Sequence, residues 1–227
     1  MQIKIPPVDW GSAAIAILAI GIIFWIASKE AFVGPVLAPT TSTVTSAAQV
    51  MSTETLNIGS AGGLVVWIPN EAHEPVGNKR MSQFNGAFLP TKAIIPTGAQ
   101  VAFVSDDASH SHVITVTGMG APTKSLAADS SSAAIVFTRP GTFQYKSSIT
   151  KTGGTITVTA TRAVPGKTVG AFFAPAGRGA SAAGAAGVSV LSQSTFGKDE
   201  CVVYSSAGDA ATVAAKMTAV TKQTPYT

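Results

Sequence analysis

The stretch "PGTFQYKSSITKTGGTITV", Pro140 to Val158, decides how this chain is read. Its Pro-Gly pair marks a turn. "TFQYK" then alternates polar and apolar residues, as a half-buried β-strand does, and "TITV" resumes that alternation beyond Gly153-Gly154. The short segment between the two strands contains no Cys, no His and no Met.

Similar runs extend outward on both sides. "LVVWIP", "KAIIPTGAQVAFV", "HVITVTG", "AAIVFTRPGTFQYK" and "GTITVTA" are short, rich in Val, Ile, Thr and Phe, and bounded by Gly and Pro. Strands of this kind between frequent turns predict a β-sandwich or barrel, placed at residues 56–161.

Within that span, "AFLPTKAIIPTGAQVAFVSDDASHSHVITV" (Ala87 to Val116) and "FTRPGTFQYKSSITKTGGTITV" (Phe137 to Val158) resemble the middle and the end of a cupredoxin. The resemblance implies a cupredoxin-like sandwich with His110 at the position of the family's first copper-binding histidine. It also places Ser147 about where the family carries a cysteine and Thr150 about where it carries a second histidine. No Met precedes Gly153-Gly154. A blue-copper centre needs a thiolate and two imidazoles, so the resemblance is to the scaffold without its ligand loop. The expected cofactor is accordingly none, with copper as the alternative.

That alternative rests on histidines ahead of the loop. His110 and His112 stand two apart, and on a strand that spacing puts both side chains on one face. His73 supplies a possible third imidazole. The pair is similar to the His-x-His of the cupredoxin-like subunit of membrane copper monooxygenases. The competing readings are a hydrogen-bonded histidine at a strand edge and simple exposure. Asp106 and Asp107 are read either as acceptors for imidazole N–H groups or as turn residues. No Ser-His-acid motif or phosphate loop is legible, and an enzyme is not expected.

The remainder is unusual in composition. Charged residues make up 11% of the 227, below the ~25% of an average soluble domain. "WGSAAIAILAIGIIFWIAS", Trp10 to Ser28, carries no charge and approaches the ~20 residues a membrane-spanning helix needs. Trp10 and Trp25 near its ends fit interfacial anchors. A cleaved signal peptide fits less well, because Lys4 is the sole basic residue before the run and Pro39 would follow the cut. Residues 1–30 are therefore expected to be a cytoplasmic tip and a transmembrane helix, and 31–55 an extended Ser/Thr/Ala linker. Residues 162–227 are expected to be a Gly/Ala-rich tail with one short strand and one short helix.

From Arg139 to Arg178 there are six basic residues and no acidic one, a solvated basic face or a contact for anionic headgroups or an acidic partner. Nucleic acid is not indicated, since no base-stacking or groove-reading motif accompanies them. The single cysteine, Cys201, reads as a small buried apolar residue. Phe172 and Phe173 read as anchors into a partner or as caps on the sandwich.

Together these features predict a mainly β chain: a cupredoxin-like β-sandwich with one N-terminal transmembrane helix and a partly extended C-terminal tail. The function they favour is a non-catalytic accessory subunit of a larger membrane complex, photosynthetic or respiratory. Its partners would be the other subunits and the lipid bilayer, and its main domain would lie on the periplasmic or extracellular side. The alternative is a copper-binding protein or copper-oxygenase subunit using the His-x-His pair.

Overall fold

Alternation between core and solvent organises the first half of the fold. The computed structural model describes residues 55–70, 88–119, 123–150, 153–196 and 198–223. They form twelve strands and two helices. Strand β8 (Gly141–Ser147) turns Phe143, Tyr145 and Ser147 inward and the residues between them outward. One sheet has the order β1 (Thr55–Asn57), β3 (Lys92–Thr97), β9 (Gly154–Arg162), β8, β5 (His112–Val116), β6 (Thr123–Leu126). Its β1–β3 and β3–β9 pairs are parallel and the rest antiparallel.

The second sheet has the order β11 (Ser189–Phe196), β12 (Asp199–Ala207), β10 (Val164–Pro175), β2 (Ala61–Ile68), β4 (Gln100–Ser105), β7 (Ile135–Val136). Strand β2 lies between β10 and β4, parallel to both. Its residues Leu64 to Ile68 are buried without alternation. Such a run needs cover on both faces of the sheet. One face meets the first sheet, where Phe103 of β4 lies 5.5 Å from Tyr145 of β8. The other meets two helices. Helix α1 (Gly179–Ala185) packs on β10, β11 and β12, and α2 (Ala210–Gln223) on β2 and β4 through Val213, Ala214, Met217 and Val220. Two six-stranded mixed sheets around one hydrophobic cluster are consistent with the cupredoxin-like sandwich.

The C-terminal third corrects the expected tail. It is not partly extended along neighbours, because β10, β11 and β12 supply half of the second sheet. Phe172 and Phe173 are not partner anchors. Both are buried on opposite faces of β10, with Phe172 5.8 Å from Trp67 and 5.9 Å from Tyr204. Cys201 lies on β12 and is buried, and burial pushes its thiol up to about 12.

The expected membrane attachment is also corrected. Among the described residues no helix is long and apolar enough to cross a membrane. The 14 residues of α2 are the longest helix described, and at 1.5 Å per residue they fall well short of the ~30 Å hydrocarbon core. The 10–28 run, with Trp10 and Trp25, lies outside the described residues. So do His73 and residues 31–54 of the expected 31–55 linker, whose last residue, Thr55, opens β1. A single-pass anchor, bilayer and membrane-complex partners, a periplasmic address and a photosynthetic or respiratory host have no support in this fold. The accessory-subunit reading falls with them, since the tail meant to hold neighbours is consumed in the chain's own sheet.

Helix α2 starts at a side-chain cap. The Thr212 backbone N–H donates to Asp209 Oδ1 at 2.9 Å and its hydroxyl to Oδ2 at 3.1 Å. These bonds, the backbone one foremost, hold Asp209 below the usual carboxylate range. Asp209→Ala is expected to cost about 1 kcal/mol at neutral pH. A lowered carboxylate pKa stabilises above its unfolded value and ceases to do so in acid. Urea melts of the variant and the parent should therefore converge as pH falls.

Candidate functional site

The site forms where β5 and β8 run side by side. Their register sets Ile114 opposite Ser147, which brings the start of β5 against the end of β8. His112 opens β5 and Ser147 closes β8. Both are buried, and Ser147 Oγ lies 2.8 Å from His112 Nδ1. Beyond the imidazole stands the buried carboxylate of Asp107, whose Oδ2 is 3.4 Å from His112 Nε2, too poorly aligned for a hydrogen bond. A ring protonated on Nε2 accepts from the Ser147 hydroxyl at Nδ1 and turns its proton towards Asp107. The Asp107 carboxylate favours that tautomer, and the Ser147 hydroxyl, which can donate or accept, is compatible with it.

Asp107 also organises the turn before β5. Its Oδ1 accepts from the backbone N–H of Ser109 at 2.9 Å and of His110 at 3.1 Å. The His110 ring closes on the same carboxylate, with Nδ1 3.2 Å from each oxygen. Unlike His112, the His110 side chain is 44% exposed. Two imidazoles, one buried and one open to solvent, therefore converge on Asp107 Oδ2.

The loop after Ser147 folds back on itself. The Ser147 N–H donates to Thr150 Oγ1 at 3.3 Å, and the Ile149 N–H approaches Ser147 Oγ at 3.4 Å. Gly154 lies opposite Tyr145, and a β-carbon there would overlap the phenol ring. The second glycine is thus dictated by close packing. The Tyr145 hydroxyl donates to the Pro90 carbonyl at 2.9 Å, and burial pushes the phenol above its ordinary value.

Asp106 is the second buried carboxylate. Burial above all, then the nearby charges of Asp129 and Asp107, raises it well above the usual range, partly offset by the Trp67 side chain.

The structure changes the sequence-based assignment of the histidines. His112, not His110, faces the serine at the expected cysteine position. His110 precedes the strand, so period-two alternation does not govern it, and the pair meets through Asp107. That carboxylate, read from sequence as either an acceptor or a turn residue, is both. The Ser147–His112 pair was hidden by their 35-residue separation, and Ser147 was read as part of the loop after the strand it closes. His73 lies outside the described residues.

The donors do not fit a blue-copper centre. Ser147 offers a neutral hydroxyl in place of a thiolate, and Thr150 a hydroxyl in place of an imidazole. Among the described residues no group of three or more His, Cys, Asp or Glu side chains is arranged to hold a metal ion. Two cavities, of about 260 and 350 Å³, lie elsewhere and include none of Asp107, His110, His112 or Ser147.

Comparison with known proteins gives structural likenesses only. No family model matches the chain, and no curated protein does. Among solved structures, a purple cupredoxin from Nitrosopumilus maritimus is 22% identical, aligning over 42% of this chain and 99% of its own with a TM-score of 0.33. A copper-containing nitrite reductase from Thermus scotoductus is 22% identical over 46% of this chain and 28% of its own, at 0.35. Plastocyanin from Dryopteris crassirhizoma is 21% identical over 42% of this chain and 99% of its own, at 0.30. TM-scores of this size carry no weight in assigning a site.

Two substitutions probe the buried groups. Ser147→Ala leaves His112 Nδ1 without its partner and is expected to cost about 1–3 kcal/mol in urea unfolding. Asp106→Asn tests the raised carboxylate. The folded chain holds that proton more tightly than the unfolded chain, so ionisation opposes folding. The opposition is absent in acid below the ordinary carboxylate range and grows as pH rises through the folded value. The Asn variant should melt above the parent at neutral pH, with the gap closing on acidification.

Proposed function

We propose that this chain is a non-catalytic metal-binding protein, with copper as the candidate ion, that uses imidazole nitrogens of the His110–His112 pair. The observation that carries the reading is the convergence of His110 Nδ1 and His112 Nε2 on Asp107 Oδ2, at 3.2 and 3.4 Å. The exposed His110 ring gives an incoming ion access to the buried one.

The arrangement described is a hydrogen-bonded one, and a metal would replace contacts now made to Asp107. Two imidazoles fall short of a full ligand set, so the reading draws further ligands from water or from His73. Imidazole and carboxylate donors without sulfur suit a divalent ion better than Cu(I), which favours thiolate and thioether ligands. The bound ion would supply a borderline-hard cation at the end of the sandwich. The chain's own residues orient the rings: with an ion on Nε2, His112 would carry its proton on Nδ1 and donate it to the Ser147 hydroxyl, which can accept as well as donate, and Asp107 fixes the turn that carries His110.

Binding rather than turnover is favoured for a specific reason. Ser147, His112 and Asp107 stand in the order of a nucleophile, a base and an acid, yet all three are buried. A nucleophile must reach its substrate.

Metal analysis after equilibrium dialysis of the full-length chain tests the reading. Stoichiometric copper is expected in the parent and its loss in the His110→Ala/His112→Ala double variant. A parent that retains no copper, or a double variant that retains as much as the parent, would overturn it.

A further inference from the structure

The edges of the two sheets are treated very differently. The first sheet ends on β1, of three residues, and on β6, of four residues including Lys124. The second ends on β7, of two residues, and on β11, of eight. Short strands and lysines blunt an edge against pairing with another chain. Strand β11, "SVLSQSTF", has neither defence: it contains no charged residue and no proline. Among the described residues it pairs with β12 alone, with a register shift at Leu191. Ser189, Val190, Gln193, Ser194 and Thr195 are exposed.

The geometry points to β11 as the edge through which two copies of this chain pair, antiparallel about a two-fold axis, joining their second sheets into one. A second copy fits because β11 complements itself. Self-pairing sets no charged side chain against another, so no like charges meet and Ser/Thr hydrogen bonds can form across the pair. An isologous contact of this kind closes as a dimer and uses up the edge, so it does not propagate into a fibre. Eight residues at ~3.4 Å each give a paired edge about 27 Å long. Beside it, α1 turns Ala180, Ser181, Gly184 and Ala185 outward, small residues that leave room for the partner's sheet. The proposal is independent of the metal site, which lies on the first sheet.

Sedimentation velocity of the full-length chain over a range of concentrations is the test, beside a Val190→Lys/Gln193→Lys variant that inserts like charges at exposed positions. The parent is expected to pass from monomer to dimer with rising concentration, and the variant to stay monomeric with unchanged circular dichroism. Amide exchange across residues 189–196 should slow in the parent as the dimer forms, which reports on the edge without any substitution. A parent that is monomeric throughout would overturn the proposal. So would a dimer that survives both lysines, or one whose β11 amides exchange at a rate independent of concentration.

Discussion

The contact between Ser147 Oγ and His112 Nδ1 is the constraint on which the candidate site depends. Both groups sit where water does not reach, and a buried imidazole nitrogen without a partner is costly. The hydroxyl satisfies Nδ1 and holds the ring plane, and the Asp107 carboxylate, an acceptor, selects the tautomer with its proton on Nε2. With that nitrogen committed, Nε2 is turned to Asp107, and Asp107 in turn holds the His110 turn through two backbone N–H groups. That hydrogen bond between neighbouring strands sets the orientation of the His112 ring, and Asp107 sets that of His110.

Strands β3, β5, β8 and β9 of the first sheet were legible because each shows a buried and an exposed face, whereas the short edge strands β1 and β6 were not. Phe143 and Tyr145 in β8 and Ile156 and Val158 in β9 stand out against polar neighbours. The second sheet was half hidden. Its central strand β10 was read as part of a flexible tail, because "VPGKTVGAFFAP" is rich in Gly and Ala and shows no alternation. Its apolar half is continuous because helices and the first sheet cover opposite faces, and its glycine answers a neighbour. A β-carbon at Gly170 would strike the Tyr204 hydroxyl of β12. Small residues that suggested a loose chain are there because packing is close. The same physics turned Phe172 and Phe173 from expected partner anchors into core.

The site was partly legible for a related reason. Spacing identified His110 and His112 as a pair, but the alternation rule assumed that both lay on a strand. The strand begins at His112, and the preceding turn is shaped by Asp107, whose role depends on which backbone groups it meets. That information is tertiary. So is the pairing of β5 with β8, which no local pattern specifies. The serine at the expected cysteine position was visible in sequence, whereas its role as the partner of a buried histidine required the register.

The imidazole nitrogens of His112 provide the most direct measurement. Long-range proton–nitrogen NMR of the metal-free, full-length chain distinguishes the two tautomers of each histidine. The account predicts that His112 is a single tautomer, with Nε2 protonated and slow to exchange and Nδ1 accepting a hydrogen bond that Ser147→Ala removes. An Nδ1-protonated ring, or one averaging between tautomers and indifferent to Ser147→Ala, would contradict it.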